Sequence, residues 1–318
     1  MRRQEARELA ARLRSAELRV AYFPHRYAAW LLARAAGAGA AARALKQRHA
    51  RWLDNGLVRE VAARAADGVL TRSALEQVGP HRAEIYRIDF SIWGPKRAGD
   101  GGPWYQTTRP GVNLVLLLNF PHRHNAAYRR WLDPDGAFPA VGQGHPHACA
   151  PEITLAWARL DVDLDIREAL IEEVQCDWLR WIGSVWEYAA DMRDGHKRDR
   201  YVQRCFRNRV ARFDRFERYW LRVLAHHRSW WAEATLFAAL WVLVEQLGVR
   251  RIWYHTHEGG VRRKQILRTE PPRSLYTQLP RRFGFELTTK SPALLRWSRK
   301  EQARDEAISA LPWYRLVV

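Results

Sequence analysis

The sequence predicts an α+β protein: a helical segment followed by one mostly antiparallel sheet with a parallel crossover late in the chain. Three observations carry this. Residues 1 to about 80 repeat apolar positions at helical spacing. From Ala83 onward, short alternating or unbroken apolar runs are separated by Gly- and Pro-rich loops. Between 178 and 228 a long, basic, helical stretch divides the early strands from the late ones.

In the first segment Leu9, Leu13, Ala16 and Val20 fall on one helical stripe, and Trp30, Ala33 and Arg34 continue the pattern in an Ala-rich stretch. Gly37–Leu45, "GAGAAARAL", weakens a helix or joins two. Asn55-Gly56 marks a turn, after which Val58, Val61 and Ala62 begin a short helix. The basic N-terminus lacks a continuous apolar stretch with a cleavage site, so it is expected to be an amphipathic helix rather than a signal peptide.

Beyond 80, "AEIYRIDFSIW" (Ala83–Trp93) alternates as a strand, and "GVNLVLLLNFP" (Gly111–Pro121) is a buried strand by its unbroken apolar run. "HNAAYRRWL" is a short helix, and 133–151 a Pro/Gly/His loop. "EITLAWARLDVD" (Glu152–Asp163) and "EALIEEVQCDW" (Glu168–Trp178) form two strands joined by a turn at Leu164–Arg167. The helix "WAEATLFAALWVLVEQLG" is apolar nearly all round, with Leu236, Leu240, Leu243 and Leu247 on one stripe and Phe237, Trp241 and Val244 on another; it should be buried and capped by Gly248. "VRRIWYHTH", then a short helix and strand in "SLYTQLPRRFGFELTTK", then "WYRLVV" complete the sheet. The division expected is 1–80 helical and 81–318 α+β, with a basic helical insertion at about 178–228.

The chain has 318 residues, of which 47% are hydrophobic, enough for a sizeable core. No apolar run approaches the ~18 residues of a membrane span. Cys149, Cys176 and Cys205 have no CxxC spacing, which predicts a reducing, cytoplasmic setting. The net charge is +19, and residues 193–228 hold twelve Arg or Lys against four Asp or Glu. Such a balance fits a polyanionic partner (DNA, RNA or a nucleotide-bearing ligand) or Arg-rich solvated faces. Arg204, Arg207, Arg209 and Arg212 are the candidate phosphate-binding residues. Oligomeric state is not readable from the chain.

On the strand "EALIEEVQCDW", period-two alternation places Glu173, Gln175 and Asp177 on one face, with Asp161 and Asp163 ending the preceding strand on a common face. Two carboxylate clusters at adjacent strand ends suit a divalent cation; polar groups pairing with arginines at a sheet edge are the alternative. Three His-x-His pairs occur, His122/His124, His145/His147 and His255/His257. The last is the best placed for a metal, because it ends a strand and both rings then face one way. His226/His227 are expected on a helix surface. Of the 16 tryptophans, Trp30, Trp52, Trp157, Trp231 and Trp241 are assigned to the core; Trp178 and Trp181 are core residues too, with stacking on a base the alternative. No Walker or Rossmann loop and no Gly-x-Ser-x-Gly elbow is present.

Two resemblances follow. "ALIEEVQCDW", with Trp104-Tyr105-Gln106 and Gly111 before it and "WAEATLFAALWVLVEQLGVRRIWYHT" after it, resembles a domain of phage and mobile-element polyvalent proteins whose signature is close to "IEEIQSDW". It departs at Cys176, where Ser is usual, and in the basic stretch after Trp178. That resemblance implies mobile-element kinship and no particular reaction. "LYTQLPRRFGFEL" (Leu275–Leu287) resembles the closing helix–strand of GNAT acyltransferases, and the strand order fits that fold. This implies acetyl-CoA as cofactor, its pyrophosphate on a helix N-terminus after Asp177, with Glu173 as general base for an amine and Tyr276 protonating the thiolate. The Gly-rich pyrophosphate loop of that family is missing; "WLRWIGSVWEYAAD" has only Gly183. A strand Asp followed by Glu-x-Gln also resembles the variant metal site of some PD-(D/E)xK nucleases, which implies a divalent metal on Asp161 or Asp163, Glu173 and Gln175. Three functions therefore stand: a GNAT-like acyltransferase or degenerate relative, a metal-dependent nuclease, and a non-enzymatic nucleic-acid-binding module.

Overall fold

The computed structural model describes residues 1–65, 67–77, 79, 83–95, 106–134, 145–148, 152–209, 211–266, 270–295, 308 and 310–318. In chain order the elements are α1 (Arg3–Ser15), β1 (Arg19–Tyr22), α2 (Arg26–Ala36), β2 (Ala40–Ala41), α3 (Ala42–Leu53), α4 (Gly56–Arg64), β3 (Val69–Leu70), α5 (Arg72–Glu76), β4 (Glu84–Trp93) and β5 (Asn113–Asn119). There follow α6 (His122–Trp131), β6 (Thr154–Asp163), β7 (Glu168–Gln175), α7 (Asp177–Ala190), α8 (Gly195–Phe206) and α9 (Phe213–Arg218). A π turn at Tyr219–Val223 leads into α10 (Ala225–Trp241), and a second, Val242–Gln246, ends it; then come β8 (Arg251–His255), α11 (His257–Arg263), α12 (Gln278–Arg282), β9 (Glu286–Thr288) and β10 (Trp313–Val317).

Eight strands form one sheet in the order β1-β4-β5-β6-β7-β8-β10-β9. Every neighbouring pair is antiparallel except β7–β8. The expected α+β class and the late parallel crossover are what the chain adopts. The segment expected to be wholly helical differs: it also holds β1 and the short paired strands β2 and β3. The helical spacing that runs to Val20 breaks after Ser15, and Arg19–Tyr22 pairs with β4 as the edge strand, Val20 opposite Tyr86. Val20 and Tyr22 then bury on alternate positions, so sheet pairing overrides a local helical pattern. The first segment is also tied to the C-terminal part. Trp52 Nε1 donates to the Arg282 carbonyl at 3.1 Å, and a Cβ at Gly284, whose φ is +79°, would run into the Trp52 indole.

The two faces of the sheet differ in character. Leu114, Leu116, Leu118, Ala156, Ala158, Leu160, Ile252 and Tyr254 point to the main core, where α10 lies; Leu236, Phe237 and Leu240 are buried there. Gly248 takes φ +66° just past α10, as its C-capping position requires. The opposite face carries small apolar clusters, Val115, Leu117 and Trp157 on one side and Leu170, Trp253 and Trp313 on the other. Between them lie buried charged groups.

Candidate functional site

A β-bulge builds the site. Arg159 on β6 faces Glu173 on β7, but the next residue, Leu160, faces Ile171, so Glu172 is the extra residue. Up to the bulge, Glu168, Leu170 and Glu172 share a face; past it Glu173 and Gln175 do. Leu170 lies opposite Asp161 and Glu173 opposite Arg159, and both belong to the polar face. The bulge thus turns two consecutive glutamates to the same side. Strict alternation would have sent one of them into the apolar core.

The parallel register of β7 and β8 ends at Ile171–Tyr254, although both strands continue. At this fork the Glu172 carboxylate accepts from the Thr108 backbone N–H at 2.9 Å and from its hydroxyl at 2.6 Å. His255 Nε2 lies 3.0 Å from Glu172 Oε2 and 2.9 Å from Thr108 Oγ1. Lys264, which follows α11, donates its ammonium to the Glu172 carbonyl at 3.0 Å, in place of the ladder bond that the diverging β8 no longer makes. Glu172, His255, Thr108 and Lys264 are all buried. Burial opposes ionisation of Glu172, yet the hydrogen bond and charge of His255, with Lys264 and Arg159, hold its pKa well below the usual carboxylate range. Burial pushes His255 down to about 4 despite Glu172. The pair is therefore carboxylate and neutral imidazole near neutral pH. Among the described residues, Glu172 and Thr108 both meet Nε2 of His255, and Nδ1 is buried without a partner.

The carboxylates read from the sequence are each met by a cation or a set of donors. Glu173 is paired with Arg159, which also stacks 5.5 Å from the Trp93 ring centroid. Burial works against the Glu173 charge, and Arg159 and Lys264 lower its pKa on balance. Asp161 takes two hydrogen bonds from Arg109, at 2.5 and 2.8 Å, and one from the Met1 amino group at 3.0 Å. Asp163 faces the turn, accepting from Ile166 N–H at 3.4 Å. Gln175 reaches His145 Nδ1 at 3.2 Å and also Asp177. Tyr276 is buried; its hydroxyl has no partner among the described residues, and its ring lies 5.5 Å from the Lys264 ammonium.

Two positions differ from the strand reading. Asp177 is the first residue of α7, behind the Cys176 N-cap, rather than the end of a strand face. It nevertheless meets that face, accepting from Trp157 Nε1 at 2.8 Å and lying 2.8 Å from His145 Nδ1. His257 opens α11, because Thr256 N-caps that helix through its hydroxyl. His255 and His257 therefore do not share a strand face: His257 turns to the Pro271 carbonyl at 3.1 Å. His227, expected on a helix surface, is buried, and so is Trp178, whose Nε1 donates to Tyr219 at 2.9 Å. Arg204, Arg207, Arg209 and Arg212 are exposed on or beside α8 and α9. Trp104, Tyr105 and Cys149 lie outside the described residues.

Sequence patterns did not single out Glu172, Thr108, Arg159, Arg109 or Lys264. One signal was available for the first: two adjacent acids in an apolar strand require a bulge, since one would otherwise lie among leucines. Comparison with family models, curated proteins and solved structures finds no match to this chain.

Proposed function

We propose that this chain is a nucleic-acid-binding module on a GNAT-like scaffold whose catalytic cleft is closed. The observation that carries the reading is the surface of α8, α9 and their flanks. Arg193, Lys197, Arg200 and Arg204 are exposed there, as are Arg207, Arg209, Arg212, Arg215, Arg218 and Arg222, against only Asp194 and Asp214 among exposed acids of the same stretch. A phosphate backbone satisfies such a surface, because each neutralised phosphate releases condensed counterions. The fork between β7 and β8 supports closure. Asp161 is paired with Arg109 and Glu173 with Arg159, so neither acid is left unpaired to hold a divalent ion in the nuclease manner.

The test is fluorescence anisotropy with a duplex DNA at graded salt. Binding at low salt should weaken steeply as salt rises. Replacing Arg204, Arg207, Arg209 and Arg212 by Ala should flatten the log–log slope by ~0.9 for each phosphate that is no longer neutralised. Absence of binding at low salt, or an unchanged slope in the variant, sinks the reading.

A second reading, acyl transfer, is favoured by the strand order: antiparallel strands, a parallel pair that forks, and the last strand inserted between β8 and β9. The acyl-CoA group does not fit the residues present, however. The α7 N-terminus that would face its pyrophosphate carries the Asp177 carboxylate and no glycine loop. Calorimetric titration with acetyl-CoA separates the readings: saturable heat would restore acyl transfer, and none is expected.

A further inference from the structure

We propose that Glu84, His226 and His227 form a binding site for a divalent transition-metal ion of the zinc class. Each of the three offers one ligand atom, and these atoms lie within 4.8 Å of one another. The site joins two elements that the sheet core brings together: Glu84 begins β4, and the histidines open α10. One carboxylate and two imidazoles are a donor set that zinc accepts, with a further position left for water.

Two observations point to a ligand rather than to a self-satisfied cluster. Glu84 is only 5% exposed, and its Oε2 is buried without a hydrogen-bond partner among the described residues, while Oε1 is held by Arg123. A buried carboxylate oxygen left bare is costly; the Arg123 guanidinium pairs with Oε1 and leaves Oε2 for a second cation. His226 Nε2 lies 2.8 Å from Glu84 Oε1, yet it is not aligned to hydrogen-bond with it. Two ligand atoms converging on a common ion approach each other in this way without pointing at one another.

The surroundings suit the task. His227 Nδ1 lies 2.7 Å from the Tyr86 hydroxyl, to which Trp230 Nε1 also donates at 2.9 Å. In the tautomer that gives Nδ1–H to Tyr86, His227 presents the other nitrogen as a lone pair, the arrangement that orients metal-binding imidazoles. Burial lowers the pKa of His226, and that of His227 to about 2, so both rings are in the neutral form that ligation needs. The His226 side chain is partly exposed, with its Nε2 turned inward.

The test uses untagged full-length protein, stripped with EDTA, desalted and titrated with Zn²⁺, with bound metal counted by mass spectrometry and Co²⁺ substitution followed by its visible absorption. The expected result is one equivalent of zinc per chain and a tetrahedral-type cobalt spectrum. Glu84→Gln and His226→Asn should each weaken binding by more than about 10-fold, the loss that removal of even an outer partner causes, and Tyr86→Phe should weaken it by about 10- to 100-fold. His226→Asn changes a half-exposed position, so its fold, checked by circular dichroism, serves as the control should Glu84→Gln disturb packing. No stoichiometric metal in the wild-type protein, or wild-type affinity in a folded His226→Asn variant, would overturn the proposal.

Discussion

Arg159 decides whether Glu173 can be tolerated where it is. The guanidinium is 1% exposed and its carboxylate partner 14%, so neither charge is well solvated. Removing only the cation leaves a buried acid uncompensated, whereas removing both leaves none. Arg159→Met should therefore cost about 3–5 kcal/mol, read from urea denaturation. The double variant Arg159→Met/Glu173→Gln should recover most of that loss. Equal destabilisation in single and double variants would show that Arg159 acts through packing on Trp93 instead. Lys264 acts on the backbone: with Lys264→Met the Glu172 carbonyl at the fork loses its donor, which should cost about 1–3 kcal/mol by the same measurement.

At the level of elements, the bulge in β7 and the start of α7 make the polar face continuous. Asp177 takes hydrogen bonds from Trp157 on β6, Gln175 on β7 and Arg180 in its own helix, so one carboxylate joins two strands to the helix that follows. Burial opposes its charge, but His145, Trp157 and Gln175 lower its pKa on balance. A lowered carboxyl pKa contributes stability above the unfolded value and loses it as pH falls through the folded one. Asp177 also sits in the first helical turn, where negative charge is favoured. Asp177→Asn should thus lower the melting temperature, with a loss of about 1–2 kcal/mol, while leaving DNA binding by α8 and α9 unchanged. A variant as stable as wild type would mean that the carboxylate serves a ligand instead of the fold.

Taken as a whole, the molecule is sensitive to acid through its buried histidines. Burial lowers His124 to about 3, His227 to about 2 and His255 to about 4, from an ordinary value of 6.5. The sign follows from proton uptake: the unfolded chain protonates these rings as pH drops below about 6.5, and the folded chain does not until about pH 4 or lower. Stability is therefore full above the unfolded value and falls on acidification, by about 1.4 kcal/mol per pH unit for each ring. Denaturant midpoints of metal-free protein at pH 7, 6 and 5 should decline progressively. A flat profile would mean that these rings are hydrated or already charged in the fold.

The sequence alone determined the α+β class, because periodicity is a local property: the unbroken apolar run of 113–119, bounded by Gly111 and Pro121, is a strand, and the nearly all-round apolar stretch of 231–247, too long for a strand, is helical. It also located the strand Glu168–Gln175 as the one with too many polar groups. Local pattern could not reveal that Arg19–Tyr22 is an edge strand, since its pairing partner lies more than sixty residues away at Glu84–Arg87. Nor could it show the bulge at Glu172, which depends on how β6 and β7 meet. Thr108, Lys264 and His255 surround Glu172 only because a loop, a short helix and a strand end converge on one fork. Glu84 meets His226 and His227 for the same reason. Burial and hydrogen bonding between distant segments assign each charged group its role, and tertiary structure alone brings those segments together.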